Sequence, residues 1–169
     1  MWPNPPDVKE VQPMLEIKRL SLKEALVGLN AMLEEAEKSP GRPLSLGVSD
    51  DRGDIICFYR MDGSTDFQRE MVFRECYTAA QVGDNTRAFK EAIESEGLNL
   101  AYFNHPYASA CPGAVVIVPP GRERDKVDQV CTERGQIGVC AASGRWSHED
   151  EVIAKVGAEA VQRLIWPDC

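Results

Sequence analysis

Residues 44–61 constrain the fold of this chain more than any other stretch. Leu44, Leu46 and Val48 alternate with Ser45, Gly47 and Ser49, the period of two expected of a strand with one apolar face. Asp50-Asp51-Arg52-Gly53-Asp54 is a run of turn formers, and Ile55 to Met61 returns as a dense apolar segment. The stretch reads as a β-hairpin. The density of its second strand predicts a central place in the sheet, covered on both faces.

The flanking segments supply the cover. Ser21 with Glu24 is a capping box, and Leu22, Leu26, Leu29 and Leu33 recur at helical spacing until Pro40-Gly41. Thr65 with Gln68 is a second capping box, opening a helix that runs to about Val82. A shorter helix holds Ala88, Phe89, Ala92 and Ile93. Residues 97–113 read as a long loop with short extended pieces, and such loops are often functional. Ala114 to Val118 and Gln136 to Ala142 read as strands, separated by a charged excursion from Arg122 to Arg134. Ser147 with Asp150 is a third capping box, before a terminal helix carrying Ile153, Val156, Ala160 and Leu164. The order is α-β-β-α-α-β-β-α. Two hairpins with helices at both ends predict an α+β domain, an antiparallel sheet with helices packed on it.

At 169 residues the chain has the length of one domain, here residues 15–169 after a proline-rich arm over 1–14. Nineteen Lys and Arg against 27 Asp and Glu give a formal charge of −8. That field repels phosphate backbones and anionic lipid, which argues against nucleic acid and membrane partners. No apolar run approaches the ~18 residues of a membrane helix, and the N-terminus lacks a basic region followed by an apolar one. The expectation is a cytoplasmic protein. Six scattered cysteines without a Cys-x-x-Cys pair fit reduced thiols in that compartment.

Several segments together resemble the GlcG/HbpS family, described as haem-degrading-like and shared with the C-terminal domain of PduO proteins. They are LSLKEAL (20–26), LGVSDDRGDIICFYRMDG (46–63), CYTAAQVGDNTRAF (76–89), PGAVVIV (112–118), GQIGVCAASG (135–144) and HEDEVIAKVGAEAV (148–161). The resemblance implies a three-layer α/β sandwich around an antiparallel sheet of about five strands, in a symmetric homo-oligomer. It also implies a small-molecule ligand, haem or a related tetrapyrrole in some members. This chain departs from the family at three places. Glu75 stands where the family helix usually carries a lysine, Pro112-Gly113-Ala114 replaces Pro-Gly-Gly, and the last hairpin is extended over 119–134. A carboxyl at 75 would not hold a propionate as a lysine would, and burial would raise its pKa.

The candidate chemistry rests on few residues. His105, one of two histidines, is a candidate acid/base or haem ligand, the alternative being a backbone-bonded loop histidine. His148 reads as a first-turn helix residue. Glu75 is a candidate acid/base with Arg74 orienting a substrate carbonyl or carboxylate; the plainer reading of Arg74 is an i,i+4 pair with Glu70. Asp62 is a third candidate catalytic group, or simply the residue that ends its strand in a turn. Tyr102, Phe103 and Tyr107 offer flat surface to a planar ligand, and Gly113 closes the same loop. Cys111 as a nucleophile would need a base beside it. No metal or nucleotide motif is present, so a metal enters only through His105 and haem. Two functions follow. One is an oligomeric binding protein for haem or another planar hydrophobic ligand. The other is a cofactor-independent isomerase, lyase or cyclase acting on a small carbonyl compound.

Overall fold

A computed structural model describes residues 19–121 and 135–167. The proline-rich arm, the charged excursion over 122–134, Cys131 and Cys169 lie outside the described residues. Helix α1 (Leu22–Glu37) opens as its sequence predicts: Ser21 Oγ accepts the Glu24 N–H, and Glu24 accepts the Ser21 N–H at 2.7 Å. The end of α1 is closed from a distance. The Arg145 guanidinium donates to the carbonyls of Ala36 at 2.8 Å and Ser39 at 3.1 Å, supplying partners for carbonyls a helix end leaves open.

β1 (Ser45–Asp50) and β2 (Ile55–Arg60) form the expected hairpin, with Asp50 Oδ1 accepting the N–H groups of Arg52 and Asp54 inside the turn. α2 (Asp66–Val82) and α3 (Thr86–Ser95) follow, then a 3₁₀ turn over Leu100–Phe103. β3 (Ala114–Ile117), β4 (Gly138–Ser143) and α4 (Ser147–Ile165) complete the order read from the sequence. The fold is α+β in three layers, with four antiparallel strands among the described residues in the order β2-β1-β4-β3. α1 and α4 cover one face, over Leu46, Val48, Cys140, Ala142, Val115 and Ile117. α2 covers the other, over Ala114, Val116, Val139 and Ala141.

Two expectations are corrected. β2 is an edge strand, half-buried along its length, and the central strands are β1 and β4. β1 reads as one-sided because Ser45, Gly47 and Ser49 are small, yet all three are buried. They are small because α2 packs close there: a Cβ on Gly47 would come within 2.6 Å of Val72. Apolar density on β2 reported area to be covered rather than position in the sheet. The cap of α4 also sits one residue earlier than Ser147. Glu149 accepts the Trp146 N–H, while Asp150 reaches back to the N–H groups of Gly144 at 3.2 Å and Arg145 at 3.0 Å. Cys57, Cys76, Cys111 and Cys140 are free thiols.

Candidate functional site

Helix α2 has two chemically different faces. Val72, Glu75, Cys76 and Ala79 turn into the sheet, whereas Glu70, Arg74 and Tyr77 lie on the outer side, with Phe73 between, its ring against Phe58 of β2. The loop over 97–113 returns along this helix and is tied down by two threonines, Thr78 on α2 and Thr86 at the start of α3. Thr78 Oγ1 accepts the Ser109 N–H at 2.9 Å and donates to the Arg74 carbonyl at 2.8 Å. Thr86 Oγ1 accepts the N–H groups of Gly113 and Ala114, both at 3.1 Å. Each bond satisfies a backbone donor that a loop would otherwise leave unpaired.

The tie sets an aromatic cluster beside α2. His105 stacks on Tyr77 with ring centroids 5.0 Å apart and planes 7° from parallel, and Tyr107 packs against both rings. Nδ1 of His105 accepts the Tyr107 N–H at 3.3 Å. A neutral ring therefore carries its proton on Nε2 and donates it to Tyr77 Oη, 3.1 Å away. A groove of about 520 Å³ lies alongside, lined by Arg69, Glu70, Phe73, Arg74 and Tyr107. Phe73 and Tyr107 are 43% and 58% exposed, so the groove presents bare aromatic surface. Among the described residues its arginines pair with solvent-exposed carboxylates, Asp66 at 3.6 Å from Arg69 and Glu70 at 3.8 Å from Arg74. Exposed pairs of this kind are worth only about 0–1 kcal/mol and are readily exchanged for a ligand anion.

Of the residues singled out in the sequence, Arg74 and Tyr107 share this groove and His105 stands next to it. Phe103 leaves the cluster to pack edge-on against Phe89, and Tyr102 is mostly exposed on the same 3₁₀ turn. Asp62 lies in a second groove of about 580 Å³, with Leu33, Glu37, Pro43, Tyr59, Arg60 and Met61. Arg69, Phe73 and Tyr77 were missed. Their spacing of four places them on one helical face, and that periodicity was the available signal.

Glu75 is on the other side of α2, 2% exposed, with Oε2 unpartnered. Gly113 lies directly against it. A Cβ on Gly113 would strike the carboxyl and come within 2.7 Å of the Ala142 carbonyl oxygen. Burial, reinforced by the field of Asp150, raises the Glu75 carboxyl well above its ordinary 4.5. Asp150 is itself lifted to about 6, because burial outweighs its two backbone N–H donors. Among the described residues no three His, Cys, Asp or Glu side chains converge as a metal set, and no helix is long and apolar enough to cross a membrane.

Fold and site together define a three-layer α+β domain with an aromatic, arginine-lined groove beside its second helix. Residues 20–159 match the family model described as "Haem degrading protein HbpS-like", and the chain belongs to this HbpS-like family. Among solved structures it is similar to a double mutant of HbpS from Streptomyces reticuli. That match has 20% identity over 93% of this chain and 97% of the other, with a TM-score of 0.70. It is also similar to the protein ORFY of Klebsiella pneumoniae (15% identity, 89% and 96% coverage, TM-score 0.72). The third is PduOC, solved in complex with haem (19%, 85% and 95%, TM-score 0.67). No curated protein matches the chain in sequence. At these identities the solved structures establish the fold.

Proposed function

We propose that this chain is a small-molecule-binding protein of the GlcG/HbpS type, whose ligand is planar, hydrophobic and anionic, with haem the leading candidate. The groove beside α2 carries the reading. Phe73 and Tyr107 offer flat apolar faces, and Arg69 and Arg74 offer bidentate donors for carboxylates at the ligand's edge. The family description and the haem complex of PduOC point the same way. The groove side chains fit the flat faces and carboxylates of a porphyrin, and His105 would be the residue to hold its iron. Its Nε2 would have to leave Tyr77 Oη first. Bound haem would supply a redox-active iron centre; the chain's own residues bind, orient and shield the ligand. In this reading the protein is a cytoplasmic homo-oligomer, which fits the half-buried apolar residues of β2 and its outer edge, unpaired among the described residues.

A hemin titration followed in the Soret region tests it on wild type, Arg74→Ala, Phe73→Ala and His105→Ala. Saturable, stoichiometric binding weakened by Arg74→Ala and Phe73→Ala is expected. Binding indifferent to both would retire the groove, and an unchanged spectrum in His105→Ala would retire axial ligation.

One observation favours the second reading, an isomerase, lyase or cyclase acting on a small carbonyl compound. Glu75 is a buried carboxyl without a partner for Oε2, and burial raises its pKa, the direction a general acid needs. The constellation expected from the sequence is split, however: Glu75 faces the sheet, whereas Arg74 and His105 stand on the groove side of α2, so Glu75 would act apart from them, and Asp62 would act only on a ligand in the second groove. Loss of turnover in Glu75→Gln, on any carbonyl substrate found, is its expected signature.

A further inference from the structure

The loop carrying His105 and Tyr107 ends at Gly113, and Gly113 rests on the Glu75 carboxyl. Ala142 donates its N–H to the Gly113 carbonyl at 2.9 Å, as a strand pair would. The return bond is absent, because the Gly113 N–H is diverted to Thr86 Oγ1. The Ala142 carbonyl oxygen and Glu75 Oε2 are both left crowding the side of Gly113 that a Cβ would occupy. A neutral carboxyl tolerates this place at far lower cost than a charged one, because it carries no net charge to be satisfied. An ionised one faces a carbonyl dipole and the Asp150 carboxylate with no donor on Oε2.

We propose that Glu75 is a proton-dependent latch on the binding loop: protonated, it lets Gly113 pack down on it, with Tyr107 and His105 against α2; ionised, it forces the 109–113 segment away and loosens the groove wall. The location of the yielding part follows from how each neighbour is held. β4 is a central strand and α2 is a five-turn helix, whereas residues 109–113 are fastened mainly by the hydroxyls of Thr78 and Thr86. The titratable groups whose fields reach Glu75 are Asp150 at the start of α4 and the Cys76 thiol on α2 itself. Arg145 faces Asp150 and is committed to the end of α1. β3 carries no ionisable residue, and Cys140 of β4 packs on the opposite face of the sheet.

The latch acts on the groove assigned above and rests on that reading for its purpose, but its test needs no ligand. Amide hydrogen exchange of residues 105–114 is followed in the full chain from pH 5 to 9, corrected for intrinsic rates. Wild type should exchange faster as Glu75 ionises, by up to about tenfold per pH unit for one linked proton. Glu75→Gln should be flat, and Asp150→Asn should keep a shifted pH dependence. Gly113→Ala, which props the latch open sterically, should exchange fast at every pH. Equal profiles in wild type and Glu75→Gln would overturn the latch. Hemin titrated at pH 5.5 and 8.5 gives the independent arm: no hemin binding at either pH sinks the haem ligand and leaves the latch to the exchange data.

Discussion

Oε2 of Glu75 fills the space that a Cβ on Gly113 would need, so the two positions are chemically interlocked although they lie 38 positions apart in the sequence. Gly113→Ala should cost about 1–3 kcal/mol through overpacking. Pairing it with Glu75→Ala should recover part of that loss, because the cavity accepts the methyl. Urea denaturation of both single variants and the double variant measures the coupling. Strictly additive losses would show that the two side chains do not share this space.

The sign of the pH dependence follows from the raised carboxyl values. A buried acid that holds its proton in the folded state stabilises fully below its unfolded pKa, and that contribution fades as pH rises towards the folded pKa. For Asp150 the window runs from 3.8 to about 6; for Glu75 it starts at 4.5 and extends well above. Wild type should therefore keep losing stability above pH 6, with a slope of at most about 1.4 kcal/mol per pH unit from this proton. Glu75→Gln should level off near pH 6 and be more stable than wild type at pH 8. Thermal unfolding across this range checks it, and parallel curves would place the titration elsewhere.

Asp150 accepts two backbone N–H groups while 5% exposed. Asp150→Ala strands both donors at the turn between β4 and α4 and should cost about 1–3 kcal/mol. Asp150→Asn retains an acceptor and should cost less. Chemical denaturation distinguishes the two, and an equal loss would mean that charge rather than acceptance holds the turn.

Thr78→Val removes the acceptor for the Ser109 N–H without changing side-chain volume much. A loss of about 1–3 kcal/mol is expected from the stranded buried donor. Hemin affinity should fall with it, since Tyr107 and His105 lie upstream on the same tethered loop. Unchanged affinity in a destabilised variant would separate the tether from the binding wall.

Arg69 and Arg74 predict a ligand carboxylate, so hemin dimethyl ester should bind more weakly than hemin, and the difference should shrink in Arg74→Ala. Competition in the Soret region reads this directly. Equal affinities for acid and ester would remove the arginines from recognition.

What could be read from the sequence was local. The capping boxes at Ser21 and Thr65 are complete within three residues, and the turn after Asp50 closes within four, so the helix starts and the first hairpin were legible. The element order followed, and the resemblance over most of the chain pointed to the right family. Tertiary packing decided the rest. β2 went to the edge because strand order depends on which neighbour completes the ladder, and β4 lies some ninety residues from β1. Asp150 left its expected cap for Gly144 and Arg145 once burial made those donors its partners. Glu75 on the sheet face of α2 and Phe73 on its flank belong to one helical stretch only two residues apart. One met Gly113 and a carbonyl, and the other met the Phe58 ring of the edge strand and the open groove. The helical period separates such residues, but only the docked sheet and the returning loop determine what each of them meets.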